Sequence, residues 1–209
     1  MNGRSKHSGF TLVEALVVIG IISVLAGLLL PVLFAAKRQA NKDVCLSNLK
    51  QLGHSIQLYC TDHDDKLPYG PGPITKGVIV RGGSLFGDPL DSLIRELPDI
   101  RGLLAPYGAI PALFRCPMDQ NWAARMESGH QPTYFQEFGS SYEYRDVLAL
   151  GGRALGGFPA PAENLLMGDA EFFHGGMGPK DGLVNELFAD FHVKTVTWVQ
   201  RTKMLDSDK

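Results

Sequence analysis

The sequence predicts an α+β fold in which a long N-terminal helical spine packs on a small antiparallel β-sheet domain. The first observation is a run of 22 uncharged residues, Ala15 to Ala36, whose length suits a membrane-spanning first half of the helix. The second is an apolar stripe at helical spacing that extends the helix to about Thr61. The third is a body after residue 70 that Gly and Pro divide into short segments, among them a β-hairpin.

The composition limits the partners of this chain. A formal net charge of −2 over 209 residues gives no electrostatic reason to expect nucleic acid. Removing the first nine residues, which hold two cations (Arg4 and Lys6), would change the charge from −2 to −4. The basic residues of the body are scattered along the sequence, so no nucleic-acid partner is expected.

The uncharged run has two interpretations, a cleaved signal peptide and a membrane-spanning helix. Signal-peptide cores have roughly 7–15 apolar residues, whereas a spanning helix needs roughly 20. No small-residue cleavage site followed by a polar loop closes the run, which continues into helical sequence after Lys37. We therefore expect a span over about residues 12–36, with one carboxylate, Glu14, near its start. Basic residues flank both ends, so the positive-inside bias does not orient the span.

Glu14 is costly in this position. A carboxylate inside a spanning helix costs about 2.5–3.5 kcal/mol near the bilayer centre and less toward an interface. Either Glu14 lies at the headgroup boundary and reaches water, or it meets a cation in an assembled state. The hexapeptide "GFTLVE", Gly9 to Glu14, resembles the processing and methylation site of the type IV pilin and type II secretion pseudopilin superfamily. That resemblance implies the second interpretation.

The resemblance implies a role for each matching residue. Gly9 would end a leader peptide of residues 1–9, and cleavage between Gly9 and Phe10 would expose an N-methylated Phe10. Glu14 would pair with the N-terminal amine of a neighbouring subunit during fibre assembly. Pro31 matches the helix-kinking proline that pilins often carry at this distance from the mature start.

The resemblance also implies a pilin-like structural subunit of a type IV pilus-like or type II secretion pseudopilus fibre. Residues 10–61 would form the helix and residues 62–209 an extracytoplasmic domain, with a single pass through the bacterial inner membrane and the leader in the cytoplasm. The implied partners are a prepilin peptidase, like subunits, an inner-membrane assembly platform driven by a cytoplasmic ATPase, and membrane lipid. The cell surface is a further location after assembly. Two alternatives stay open: a membrane-anchored extracytoplasmic binding module that never polymerises, and a minor pilin that binds DNA.

The second half of the helix carries the apolar stripe at spacings of three and four: Cys45, Leu49, Leu52, Ile56 and Tyr59. This stripe predicts packing against the globular domain. The helix is expected to end before Pro68 and the "GPGP" segment. The intervening "TDHDDKLP" holds three Asp residues, which makes calcium the one conceivable cofactor, but it lacks the glycine and distal glutamate of an EF-hand. A solvated acidic helix exit is favoured, and no cofactor is expected.

Four further elements are predicted in the body. The β-branched "GVIVR", residues 77–81, is expected to form a strand. The segment "DPLDSLIRELP" is expected to form a short helix capped by Asp88. "NLLMGD", residues 164–169, is expected to be a buried strand, and Leu183–Trp198 a hairpin that closes the sheet.

Several segments of the body, "LFADFHVK" among them, resemble a pilin-like family whose C-terminal signature is a His, nine residues and then Asp-Gly. The chain departs from this signature twice, because fifteen residues separate His174 from Asp190, and Phe191 occupies the glycine position before His192. A two-residue type I′ turn requires positive φ at both central residues, which costs a residue such as Phe roughly 1–2 kcal/mol. In such a turn, Phe191→Gly would raise the thermal midpoint. Otherwise the turn type has changed, or Phe191 gains something by projecting outward.

The signature residues invite a metal or catalytic interpretation, with Asp169, His174, Asp190 and His192 as candidates. None of them shows ligand spacing such as His-Glu-x-x-His. The chain has no Gly-x-Ser-x-Gly elbow and no phosphate-binding loop, because "GGRALGG" lacks the required lysine and hydroxyl. Neither an enzyme nor a metal site is therefore predicted.

The three cysteines leave at least one unpaired. Cys45 and Cys60 on one helix would lie about 22 Å apart, beyond the roughly 7 Å limit for a disulfide, so any bridge includes Cys116. Cys45 and Cys116 both fall in segments that resemble the pilin-like family, and the resemblance favours pairing them. Three buried free thiols stay the alternative.

Overall fold

A computed structural model describes residues 11–120, 131–145, 153–175 and 181–207. The chain divides into two units, Met1–Ala40 and Asn41–Lys209. Its described helices are α1 (Leu12–Asp62), α2 (Pro73–Val80), α3 (Leu90–Glu96), α4 (Ile100–Leu104), α5 (Tyr134–Phe138) and α6 (Trp198–Ser207). The described strands are β1 (Tyr142–Tyr144), β2 (Leu165–Asp169), β3 (Leu183–Phe188) and β4 (Val193–Thr197). The long helix and the antiparallel sheet confirm the predicted α+β fold.

The described part of the first unit is the beginning of α1, which contains Pro31. The large apolar side chains from Leu12 to Phe34 are 47% to 79% exposed. By length and composition, α1 could cross a membrane. Apolar residues occupy all sides of this part of the helix, and the described residues of the chain do not cover them. Such a surface is stable only when lipid or other protein removes it from water.

In the second unit, α1 packs on the globular body through the predicted stripe, and all five stripe residues are buried. Gly53 lies beside the stripe, where a Cβ would be 2.9 Å from Cδ1 of Leu187 in β3. A glycine at this position therefore allows the helix to approach the sheet closely. The helix ends at Asp62, one residue beyond the predicted end, and Asp64 and Asp65 then take left-handed φ values of 53° and 57°.

A disulfide joins Cys45 of α1 to Cys116, the pair that the family resemblance favours. The two Cα atoms are 5.1 Å apart, both side chains are buried, and 71 residues separate them in the sequence. Closing a loop of this length stabilises a fold by about 4 kcal/mol in the chain-entropy model. Cys60 is a free, buried thiol, and burial raises its pKa to about 11 with a further contribution from Asp65. A thiol in that state is unreactive.

The sheet has the strand order β1-β2-β3-β4, and all neighbouring pairs are antiparallel. β2 covers the predicted "NLLMGD" strand and is buried along its length, and β3 and β4 form the predicted hairpin. Residues of β3 alternate between two clusters. Leu187 packs with the α1 stripe, whereas Val184 and Phe188 pack with residues of α6. The sheet therefore has apolar partners on both faces.

The predicted strand at residues 77–81 is wrong, because residues 77–80 form the second half of α2 and Arg81 is its C-cap. Pro73 occupies the first turn of this helix, where its fixed φ favours helix formation. The carboxylate of Glu143 in β1 accepts hydrogen bonds from the N–H groups of Ile74 and Thr75 at 3.0 and 2.9 Å. A cap from a distant strand thus overrides the β propensity of the sequence.

The predicted helix around residues 88–98 is present as α3, but Asp88 does not cap it. Pro89 occupies the N-cap position, and no side chain caps the helix there. Asp91, in the first turn, instead accepts hydrogen bonds from the Ser84 hydroxyl at 2.6 Å and the Phe86 N–H at 3.2 Å. The acidic residue that organises this segment therefore lies inside the helix and fixes the loop before it.

The hairpin turn differs from the predicted two-residue type I′ turn. The Phe191 N–H donates to the Phe188 carbonyl and the Phe188 N–H donates to the His192 carbonyl, so residues 189–191 form the loop. Only Phe191 of these has a positive φ, 66°. The turn is therefore of type I followed by one left-handed residue. The Phe191 ring does not project outward but packs against the main core near Gly53, so the stability gain expected from Phe191→Gly in a type I′ turn does not follow.

A buried polar contact between Arg201 and Glu186 attaches α6 to the sheet. Arg201 Nε lies 3.1 Å from Glu186 Oε1, and Arg201 Nη1 donates to the Asp169 carbonyl at 2.7 Å. Burial raises the pKa of Glu186 to about 8, while Arg201 opposes that shift and Asp169 adds to it. The loss of hydration outweighs the attraction of Arg201, so the Glu186 carboxyl binds a proton at neutral pH.

Phe191→Ala and Phe191→Gly separate the backbone strain of the turn from the packing of the ring. Both variants lose the ring contacts, but only glycine removes a left-handed strain of roughly 1–2 kcal/mol. We expect Phe191→Ala to lower the free energy of unfolding more than Phe191→Gly does, by about 1 kcal/mol. Urea denaturation of the full chain in detergent, followed by tryptophan fluorescence, measures the difference. Equal losses in the two variants would contradict strain at Phe191.

Glu186 is expected to make the fold less stable as the pH rises. Its pKa is about 8 in the fold and near 4.5 in the unfolded chain, so between these values the folded state binds more protons. Its contribution is complete below about pH 4.5 and decreases by up to ~1.4 kcal/mol per pH unit until about pH 8. Glu186→Gln should flatten this slope in urea denaturation, whereas the exposed Glu163→Gln should keep it. An unchanged slope in Glu186→Gln would exclude this assignment.

Candidate functional site

Glu14 has hydrogen-bond partners within its own chain. The N–H and the hydroxyl of Thr11 both donate to Glu14 Oε2, at 2.9 and 2.7 Å. The N–H of Glu14 donates in return to the Thr11 hydroxyl at 3.3 Å. These bonds form a capping box at the start of α1, for which the sequence Thr-x-x-Glu is itself the signature. Sequence reasoning considered only water and a neighbouring cation as partners of Glu14, and so missed Thr11.

The capping box uses one oxygen of the Glu14 carboxylate. In the part of the chain that the structure describes, both bonds to this carboxylate end on Oε2. Oε1 is thus an acceptor for a donor from outside this segment, and the side chain is exposed. The predicted cleavage residues Gly9 and Phe10 lie outside the described residues. Their processing stays a prediction, as does the kink at Pro31.

A second polar group is buried in the body, at the end of β2. His174 Nε2 lies 3.1 Å from Asp169 Oδ2, and both side chains are fully buried. The N–H of Asn185 donates to the same Asp169 oxygen at 2.5 Å. His174 Nε2 is also 3.5 Å from Cys116 Sγ, so the imidazole contacts the disulfide. Nothing in the sequence spacing of these residues indicated that they would meet.

The surroundings of the disulfide are polar. The N–H of Cys116 donates to the Ser141 hydroxyl at 3.0 Å, and this hydroxyl donates to Asp119 Oδ2 at 2.7 Å. The N–H groups of Tyr134 and Phe135, at the start of α5, also donate to Asp119. Burial raises the pKa of Asp119, although these donors oppose the shift. Asp119 is therefore a structural cap whose hydrogen bonds are satisfied.

The other two signature candidates, Asp190 and His192, form a separate pair at the hairpin turn. His192 Nδ1 lies 2.5 Å from Asp190 Oδ1, and both side chains are more than a third exposed. The His192 ring stacks on Phe188 with a centroid distance of 4.2 Å. Within the described ranges, no ligand group combines this pair with Asp169 and His174. The four candidates thus lie at two separate places, with Asp190 and His192 at an exposed turn and Asp169 and His174 in a buried pair.

The acidic segment after α1 is a compact helix exit. The His63 ring stacks on Tyr59 with a centroid distance of 3.8 Å, and His63 Nδ1 lies 2.8 Å from the Tyr59 carbonyl. Among the described residues, the Asp side chains of this segment do not form a group of three converging ligands. The solvated helix exit without a cofactor, which the sequence favours over a calcium loop, stays a prediction.

The comparisons with known proteins agree with the N-terminal motif. A model of the prokaryotic N-terminal methylation motif matches residues 4–30. The type II secretion system core protein G of Escherichia coli (strain K12) is 40% identical over 119 residues, which cover 57% of this chain and 70% of that protein. The protein of the same name from Dickeya chrysanthemi is 32% identical over 111 residues, 50% of this chain and 65% of that protein.

A pilus protein is also similar to the chain. The type IV wide pilus major component PilA4 of Thermus thermophilus is 41% identical over 56 residues, 27% of this chain and 43% of that protein. No solved structure matches the chain. The match to the Escherichia coli protein covers 70% of the length of that protein. Together with the methylation motif and the fold, it shows that the chain belongs to the pilin-like and pseudopilin family of structural subunits.

Proposed function

We propose that this chain is a pseudopilin of a type II secretion system. A prepilin peptidase cleaves it between Gly9 and Phe10, Phe10 is N-methylated, and the processed chain joins like subunits in a short fibre. The methylation-motif match over residues 4–30 supports the processing step, since it includes Gly9, Phe10 and Glu14. Three relatives named as core protein G of that system favour secretion over a surface pilus. The role is structural rather than enzymatic.

The observation that carries the proposal is the exposed apolar half of α1 with one carboxylate at its start. Side chains from Leu12 to Phe34 remain about half exposed or more on all sides of the helix. A single membrane anchor would satisfy this surface with lipid and would use Glu14 only as a helix cap, leaving its charge without a partner. A fibre satisfies both features, because helices from several subunits cover each other and supply a cation to the carboxylate.

Glu14 acts as the acceptor for the N-terminal amine of the neighbouring subunit. Thr11 holds Oε2, and Oε1 accepts the ammonium group. In a low-dielectric helix core the attraction between these charges is much stronger than in water. An unpaired carboxylate costs about 2.5–3.5 kcal/mol near the bilayer centre, so the isolated subunit is penalised relative to the fibre.

The proposed topology follows from the same assignment. The leader, residues 1–9, lies in the cytoplasm, α1 makes a single pass through the inner membrane, and residues 62–209 form the extracytoplasmic domain. An oxidising extracytoplasmic compartment is consistent with the Cys45–Cys116 disulfide. The subunit then requires an inner-membrane assembly platform as a partner, since α1 has to leave the lipid when it enters the fibre.

Replacing Glu14 should prevent assembly without preventing cleavage. Glu14→Ala removes the carboxylate, whereas Glu14→Gln keeps an oxygen that accepts the Thr11 bonds and removes only the charge. We expect both variants to lower the yield of sedimentable fibre at least about tenfold, which corresponds to ~1.4 kcal/mol per subunit contact. Fibres sheared from cells and separated by centrifugation give the yield, and intact mass gives the cleavage state. Glu163→Ala, an exposed acid of the body, is the matched control.

The mass of the native protein decides between the fibre subunit and its alternatives. A chain that begins with N-methylated Phe10 supports the proposal. A chain that keeps its leader would indicate an ordinary membrane anchor, and a start beyond Ala36 would indicate a cleaved signal peptide. Normal fibre yield from Glu14→Gln would contradict the charge pair even if processing is as proposed.

A further inference from the structure

The disulfide and its polar neighbours contain a set of metal ligands. The ligand atoms of Cys45, Cys116 and His174 all lie within 4.8 Å of one another. They are the one such group of three in the residues that the structure describes. Asp169 joins them, because its Oδ2 lies 3.1 Å from His174 Nε2. Two sulfurs, one imidazole and one carboxylate thus converge in the body, far apart in sequence.

The distances within this group suit tetrahedral coordination. Zinc binds sulfur at about 2.3 Å and imidazole nitrogen at about 2.0–2.1 Å, so a nitrogen and a sulfur on one zinc ion are separated by about 3.5 Å. His174 Nε2 and Cys116 Sγ are 3.5 Å apart. A nitrogen and a carboxylate oxygen would be separated by about 3.4 Å. His174 Nε2 and Asp169 Oδ2, at 3.1 Å, are close to that value.

Two buried polar atoms in this group have no partner in the described part of the chain. These atoms are Asp169 Oδ1 and His174 Nδ1, on side chains that are fully buried. Unsatisfied buried groups are costly, and they are rare in folded proteins unless a ligand, ion or water uses them. Asp169 Oδ1 is the one of the two that a bound ion could use, because His174 would bind an ion through Nε2; this free carboxylate oxygen is an observation independent of the ligand distances.

We propose that the reduced form of this chain binds one zinc ion through Cys45, Cys116, His174 and Asp169, as an alternative to the disulfide. Two thiolates and an imidazole select zinc over calcium or magnesium, which prefer oxygen ligands. Binding requires the two sulfurs to separate to about 3.8 Å. It also requires the His174 proton to reside on Nδ1, so that Nε2 carries a lone pair for the metal. The unpartnered Nδ1 is the atom that then carries the proton.

The exchange between the zinc-bound state and the disulfide-bonded state balances in protons and electrons. Zinc binding to the two thiols releases two protons, one from each cysteine. Oxidation by a protein disulfide forms the Cys45–Cys116 bond, transfers two electrons to the oxidant, and releases the zinc ion. The two sulfurs of the oxidant take up two protons and leave as a dithiol. A dithiol reductant reverses the reaction. The same 71-residue loop is therefore closed in both states, first by a metal and then by a covalent bond.

Cobalt is a suitable probe, because thiolate-bound cobalt absorbs visible and near-ultraviolet light and zinc displaces it. The full chain in detergent is reduced with a phosphine, and a second sample is kept oxidised. We expect the reduced chain to bind one cobalt ion with thiolate charge-transfer absorption, and the oxidised chain to bind none. His174→Ala should weaken cobalt binding at least about tenfold. Cys60→Ser is the matched control and should bind as the unmodified chain does, since Cys60 lies outside the group.

Stability gives a second readout that does not depend on the spectrum of a variant. Zinc should raise the urea midpoint of the reduced chain and leave that of the oxidised chain unchanged, because only the first has the site. The proposal is overturned if the reduced chain shows no thiolate absorption with cobalt. It is also overturned if His174→Ala binds cobalt as tightly as the unmodified chain, if Cys60→Ser loses binding, or if zinc stabilises both redox forms equally. None of these outcomes depends on fibre assembly, so the secretion proposal is tested separately.

Discussion

The constraint on which this molecule depends is the apolar first half of α1, which no described part of the chain covers. The 22 uncharged residues from Ala15 to Ala36 include large side chains that remain exposed on every side of the helix. A helix of this kind is stable in lipid or among other helices and nowhere else. The chain therefore requires an environment that it does not itself contain. The chain belongs to the pilin-like and pseudopilin family, in which such an apolar anchor can become part of a fibre core. The need for an external apolar environment is then part of the function of the helix.

The second half of the same helix has the opposite character, since its apolar stripe is fully used within the body. Gly53 permits close approach to Leu187, and the Cys45–Cys116 disulfide fixes the helix to a segment 71 residues away. The sheet is then enclosed by α1 on one face and α6 on the other. One helix thus combines a surface that needs external partners with a surface that organises a domain.

Most of the fold could be predicted from local patterns in the sequence. The stripe was predictable because its spacing of three and four residues reports burial directly, and the hairpin was predictable because two apolar-rich runs flank Asp190 and Phe191. The strand predicted at residues 77–81 was wrong, because a carboxylate from Glu143 caps α2 across almost seventy residues, which no local pattern reveals. The motif at Gly9 to Glu14 was equally local and so was recognisable. The meeting of Cys45, Cys116 and His174 is a product of tertiary structure, and their sequence spacing gave no signal.

The capping box at Thr11 changes the energetic account of assembly. If Glu14 had to give up its bonds to Thr11 in order to pair with a neighbouring amine, the fibre would lose an N-cap worth about 0.5–2 kcal/mol for each charge pair gained. Both bonds from Thr11 end on Oε2, so the proposed pair at Oε1 leaves the cap intact. The cap also fixes the carboxylate before the neighbour arrives, which reduces the ordering cost of the contact. In the proposed fibre, Thr11 would therefore prepare Glu14 for assembly, and the capping box at the start of α1 would be the same as in the subunit.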